Sequence, residues 1–176
     1  IPADEELRRV MPVVEELHQL YPDTILSIDT YHSKVALRSV QAGASMVNDI
    51  SGGEMDPEMI PVVAALRVPY ICMPMQCKAA GIHDIIIDPG FGFGKSIEHS
   101  FQLLKKLSVF KPLELPILAG LSRKSTIWKT LDIQPADALN GTTVMNTIAL
   151  LHGADILRVH DVKEAKEAIT LMQRCL

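Results

Sequence analysis

Cysteine is scarce in this chain: Cys72, Cys77 and Cys175 are the only three in 176 residues. An odd number without a CxxC pair gives neither a disulfide framework nor a zinc knuckle, so a reducing cytoplasm is the expected compartment. Lysine and arginine nowhere gather into a run, and the net charge is -4. Nucleic acid and anionic membrane surfaces both need a concentrated positive field, so neither is an expected partner. No apolar stretch reaches the roughly 18–20 residues of a membrane span. The opening IPADEELRRV is acidic and helical where a signal peptide is basic and then apolar, so no leader or anchor is expected. Aromatics are few at 5%, yet apolar residues make up 48% and charged residues 22%. That balance excludes disorder and fits one globular domain over residues 1–176, working on small molecules.

Short runs rich in β-branched residues alternate with longer runs of helical period, which is the pattern of repeated βα units around a parallel sheet. Strands are predicted at Ile25–Thr30, Met46–Ile50, Tyr70–Met75, Asp84–Asp88, Ile117–Ser122 and Asp155–His160. Helices are predicted at Asp4–Leu20, Ser33–Ala42, Pro57–Leu66, Ile97–Phe110, Ala136–His152 and Val162–Gln173. A closed barrel of such units needs about 250 residues and eight strands, so two βα units are expected to be missing. Only Gln76–His83 separates the third and fourth strands, where a parallel crossover needs about a dozen residues or more. A loop or helix is therefore expected to be missing near residues 76–77. Lys78–Gly81 then reads as the last turn of that helix, with Gly81 its C-terminal cap.

Polar side chains collect at the C-terminal ends of the strands: Asp29 and Thr30, Asn48 and Asp49, Asp88, Ser122 to Lys124, then Arg158 and His160. In a parallel barrel these ends share the face that carries the active site. Thr30 and Asp49 taken singly also read as caps of the following helices.

The stretch DPGFGFGKS, Asp88 to Ser96, resembles a nucleotide P-loop only at its end, because Pro89 stands where the P-loop needs glycine. It reads instead as a turn that lets backbone approach a flat ligand, with Asp88 accepting hydrogen bonds, Phe93 as an apolar wall and Lys95 in solvent. SRKS, Ser122 to Ser125, sets cations and hydroxyls where a strand gives way to a helix. It suits an anion or a carbonyl oxygen, or else simple capping. In RVH the alternation turns Arg158 and His160 the same way, which suits a phosphate or diphosphate. The remaining histidines lack metal-site spacing.

SIDT, VNDI, DIIIDPGFGFGK, GLSRKS, NGTTV and ILRVHDV occur in order, and the set resembles dihydropteroate synthase over essentially the whole chain. The resemblance implies a (β/α)8 TIM barrel, a transferase of folate biosynthesis and a sulfonamide target. Its reaction joins 6-hydroxymethyl-7,8-dihydropterin diphosphate to p-aminobenzoate and releases diphosphate. It also implies a pterin pocket of Asp29, Asn48, Asp88, Lys124 and Arg158, diphosphate on Arg158 and His160, and p-aminobenzoate near Phe93 and Ser125. Lys124, Arg158 and His160 would be the catalytic residues, Mg²⁺ would assist, and the assembly would be a homodimer.

Three departures accompany the resemblance. The family's N-terminal segment, with an Asn metal ligand, is missing, so no metal ligand is named here. The family's mobile loops after its second strand and after Met75 are missing too, and Pro74 stands where the family commonly has His. Two other readings compete. One is a pterin-binding methyltransferase barrel, which would have no use for a diphosphate site. The other is a non-catalytic pterin-binding remnant, whose open strand edges would make it aggregate.

Overall fold

The computed structural model describes residues 1–72, 77, 80–92 and 94–175. Each of the six β-branched runs forms a strand, and each strand is shorter than its run: β1 Ser27–Asp29, β2 Met46–Asn48, β3 Tyr70–Cys72, β4 Ile85–Ile87, β5 Leu118–Ala119 and β6 Ile156–Leu157. The helices between them are α1 Ala3–Leu20, α2 Ser33–Gln41, α3 Met59–Leu66, α4 Ile97–Lys105, α5 Ser125–Leu131, α6 Leu139–Leu151 and α7 Val162–Met172. The described residues form two compact units, Ile1–Ile87 and the part that begins at Asp88. No helix among them is long and apolar enough to cross a membrane.

In the first unit β1 to β4 pair in sequence order, all parallel. Ile85 and Ile87 are 2% and 1% exposed, so burial of each contributes about 1.5–3 kcal/mol. Ile86, on the opposite face, is half-buried as well, which is why β4 reads as an unbroken apolar run where a strand with one wet face would alternate. The C-terminal ends of β1 and β2 are cut short by their own side chains. Thr30 Oγ1 accepts the His32 N–H at 3.1 Å, and Asp49 accepts the N–H groups of Ser51 and Gly53, each at 2.8 Å. Both residues thus turn the chain out of the sheet. Asp56, in the loop after β2, accepts the Ser33 N–H at 2.7 Å and so caps α2 from a distance in sequence.

β3 and β4 pair in parallel, Tyr70 with Ile85 and Cys72 with Ile87. Met73–Gln76, Lys78 and Ala79 lie outside the described residues, and with them the end of the Tyr70–Met75 run, Pro74 and part of the Lys78–Gly81 turn. What is described keeps the signature of a helix end. Gly81 takes a φ of +80°, and the Ile82 N–H reaches the Cys77 carbonyl at 3.2 Å.

The second unit pairs β5 with β6, Leu118 opposite Ile156 and Ala119 opposite Leu157. Its core gathers Phe91, Leu104, Leu107, Ile117, Leu121 and Met145. Two helices differ from expectation. The stretch expected as Ile97–Phe110 is α4 followed by a 3₁₀ segment, Leu107–Leu113. That segment contains Pro112, which has no N–H to extend an α-helical ladder. The stretch expected to begin at Ala136 opens with a 3₁₀ turn, Pro135–Asp137, before α6.

Candidate active site

Asp88 follows β4 directly, and its two oxygens are already engaged. Oδ1 accepts the Gly90 N–H at 2.8 Å, which folds the DPG turn, and Oδ2 accepts Arg158 Nη2 at 2.7 Å. A carboxylate offers about four lone-pair positions, so Asp88 retains acceptor capacity beside Arg158. Gly120 makes room for this pair: a β-carbon there would lie 2.9 Å from Arg158 Nη2. The residue directly after β5 thus has to be a glycine where the guanidinium passes.

Lys124 immediately precedes α5 and donates from Nζ to the Phe91 carbonyl. Burial holds its amine below the ordinary lysine range. The nearby Arg158 charge acts in the same direction, and Asp88 opposes it. The first turn of the glycine loop, Lys124, Asp88 and Arg158 therefore form one electrostatic group. Lys95 is exposed, as expected, and its Nζ donates to the Gly90 carbonyl at 2.9 Å.

His160 has a different partner. Its Nδ1 lies 2.9 Å from Ser122 Oγ, and its backbone N–H donates to the same oxygen at 3.2 Å. Ser122 Oγ accepts from the His160 backbone and pairs with Nδ1 in the direction that the ring tautomer sets, so it orients the imidazole in either case. Ser122 therefore orients the histidine and does not cap α5. That helix receives no side-chain cap hydrogen bond. Ser125 is its first residue and is half-buried. Phe93 lies outside the described residues.

Arg123, one of the two cations of SRKS, is engaged by a carboxylate of the chain itself. It adopts a left-handed φ of 52° and donates from Nε and Nη2 to both oxygens of Asp161, at 2.9 and 2.8 Å. Its Nη1 donates to the carbonyls of Pro135 and Ala136, and its backbone N–H to Thr142 Oγ1 at 3.0 Å. The Arg123 hydrogen bond holds the Asp161 carboxyl below the usual carboxylate range. Sequence reasoning missed this bidentate clamp, because neither residue type nor spacing shows that the two turns meet.

In the first unit Asn48 is buried and Asp29 exposed, each ending its strand. Thr30 and Asp49 are structural. Asp49 accepts the Tyr70 O–H at 2.7 Å as well as the Ser51 and Gly53 groups. Among the described residues no cluster of three His, Cys, Asp or Glu side chains could hold a metal.

Parallel strands followed by helices, with polar and charged side chains at the C-terminal ends of the strands, are the architecture of an α/β enzyme. The family model of pterin binding enzymes matches the chain over residues 1–80 and 74–160. The dihydropteroate synthase of Escherichia coli strain K12 is 34% identical over 207 aligned residues, which take in 100% of this chain and 73% of that protein. A Yersinia pestis dihydropteroate synthase solved with a pterine-sulfa conjugate superposes with a TM-score of 0.93 at 37% identity, covering 99% of this chain and 77% of that one. The Xanthomonas albilineans dihydropteroate synthase solved with 4-aminobenzoic acid gives 0.92 at 36%, covering 99% and 73%. The chain belongs to the pterin binding enzymes and, within them, to the dihydropteroate synthases. The fold is accordingly that of a (β/α)8 barrel, of which this chain spans about three quarters. Dihydropteroate synthases are transferases.

Proposed function

We propose that Asp88, Lys124, Arg158 and His160 carry the synthase reaction of this chain: condensation of 6-hydroxymethyl-7,8-dihydropterin diphosphate with p-aminobenzoate to 7,8-dihydropteroate and diphosphate. The observation that carries the assignment is the Arg158–Asp88 pair beside the half-buried Lys124. A pterin edge presents an amino group, a ring N–H and a carbonyl. Asp88 accepts from the first two, and Lys124 donates to the third. Asn48 and Asp29 are proposed as further pterin contacts, and Ser125 as a contact of p-aminobenzoate.

Displacement at the pterin methylene leaves negative charge on the departing diphosphate, so donors aimed at that charge are the main contribution of the protein. Arg158 supplies a guanidinium edge for it, and His160 an imidazole oriented by Ser122. The aryl amine of p-aminobenzoate then bonds to the methylene carbon as the bond from carbon to the diphosphate oxygen breaks. Its surplus proton leaves to solvent. The described side chains do not fit Mg²⁺, since the diphosphate-facing groups are hydrogen-bond donors and not oxygen ligands. The ion belongs in the assay because dihydropteroate synthases use it. A single pterin-binding barrel domain over residues 1–176, a homodimeric assembly and a cytoplasmic location complete the reading.

The test is release of diphosphate from the pterin diphosphate, with Mg²⁺ in the buffer, with and without p-aminobenzoate. Release that requires p-aminobenzoate and falls about 10²–10³-fold in Lys124→Ala, the scale of losing one preorganised donor, supports the assignment. Unchanged release in that variant refutes the role of Lys124.

A further inference from the structure

Cys72 and Cys77 are buried, at 2% and 0% exposure, and their sulfurs stand 2.9 Å apart. Even two carbon atoms pack best at about 3.5–4.0 Å, and sulfur is larger. The two thiols are thus pressed together inside ordinary packing distance while both remain unbonded. They close no part of the synthase chemistry. Cys72 ends β3, and the Cys77 carbonyl receives the N–H groups of Ala80 and Ile82 ahead of β4. The third cysteine, Cys175, is exposed near the end of the chain and offers an internal comparison.

We propose that Cys72 and Cys77 form a dithiol site that hydrogen peroxide converts to an intramolecular disulfide, with Cys77 the attacking sulfur and Cys72 the resolving one. The Cys77 sulfur takes one peroxide oxygen as the O–O bond breaks, and the other oxygen leaves with a proton as water. The resulting Cys77 sulfenic acid is then attacked by the Cys72 sulfur. The S–O bond breaks, the S–S bond forms, and the hydroxyl leaves with the remaining thiol proton as a second water. The sulfur pair loses two electrons and the peroxide gains them.

The order of the two sulfurs follows from their contact. The hydrogen bond between the two sulfurs holds the Cys77 thiol below its ordinary range against the opposing effect of burial. The same bond, with burial and the Asp49 carboxylate, lifts Cys72 above it. The oxidant follows from the burial. Hydrogen peroxide is uncharged and close to water in size, whereas a bulky disulfide such as glutathione disulfide cannot reach a sulfur with no exposed surface.

The full chain, reduced and then treated with a small excess of peroxide, is denatured, alkylated with iodoacetamide and digested for mass spectrometry. The expected product is a Cys72–Cys77 linkage lighter by two hydrogens, reversed by dithiothreitol, with Cys175 alkylated. Alkylation of both Cys72 and Cys77 after peroxide, or linkage of either to Cys175, overturns the site. In Cys72→Ser, dimedone is expected to label Cys77, while in Cys77→Ser it leaves Cys72 unlabelled. The reverse labelling overturns the assignment of the attacking sulfur, and the unmodified chain tests the linkage whether or not either variant folds.

Discussion

Arg158 Nη2 donates to Asp88 Oδ2 across 2.7 Å, so the cation proposed for diphosphate is held by the anion proposed for the pterin amino edge. Neither group then acts alone. Removing Asp88 takes away an acceptor and also one partner of the guanidinium. Asp88→Ala and Arg158→Ala should each lower kcat/KM, and the double variant should fall well short of the product of the two losses. A double-mutant cycle in kcat/KM reads this directly, and strict additivity would mean that the ion pair is incidental.

Gly120→Ala tests the same pair from the backbone. The added methyl would meet Arg158 Nη2 at 2.9 Å. Since Gly120 is not among the glycines with positive φ, the substitution strains a contact and not the main chain. The guanidinium must move, and a displacement of about 1 Å near reacting atoms can cost on the order of a hundredfold in rate. The expected result is a large loss of kcat/KM with the urea midpoint little changed. A collapse of stability with unchanged kinetics in the folded fraction would contradict it.

Asp161→Asn probes the clamp on the turn between β5 and α5. Arg123 lies next to both Ser122 and Lys124, and Asp161 next to His160, so one bidentate bond fixes two turns that carry proposed site residues. The amide cannot accept through both of its side-chain atoms. The expected outcome is a fall in kcat on the order of tenfold or more from misplaced donors. Acid sensitivity provides a second measure. The Asp161 carboxyl sits below its ordinary range, so its contribution is present above the unfolded value and is lost as pH falls through the folded one. Urea midpoints against pH should be flatter on the acid side in Asp161→Asn than in the native chain.

Lys124 gives a slope of the same sign at the alkaline end. Burial, with the Arg158 charge, lowers its amine below the ordinary lysine value. Between the folded and unfolded values the unfolded chain binds more protons, so stability rises with pH across that window and the cost of burying the cation is full below it. Lys124→Met removes this titration. Relative to the native chain, the variant should be favoured more at about pH 7 than at about pH 10, near the ordinary lysine value of about 10.4. Equal differences in urea midpoint at the two pH values would refute the shift.

The element order and the strand-end residues Asp88, Lys124 and Arg158 were legible in the sequence, because burial imposes periodicity and a parallel sheet gathers polar groups at one end of its strands. What escaped the sequence depends on contacts remote along the chain. Thr30 and Asp49 could equally have been ligand groups or caps, and only their bonds to His32, Ser51 and Tyr70 settle them as structural. Arg123 looked like a second cation of the site until Asp161 was found against it. Lys95 is exposed, as expected, but the sequence does not show that its ammonium also reaches back to the Gly90 carbonyl. Strand limits were overestimated because turn-forming side chains, not apolar pattern, decide where the ladder stops.

The connection from β3 to β4 shows that the length of a crossover and the register of the strands it joins are separate variables. An alignment of 207 positions spans this 176-residue chain, and the family model meets it in two pieces that overlap at residues 74–80. Even so, Tyr70 and Cys72 still sit opposite Ile85 and Ile87. Doubling a flexible loop costs only about 0.6 kcal/mol in closure entropy, which is small beside the burial of either isoleucine. Residues can therefore be gained or lost between Cys72 and Ile82 across a lineage without disturbing Asp88, which makes this joint a place where the family can change its length and keep its chemistry.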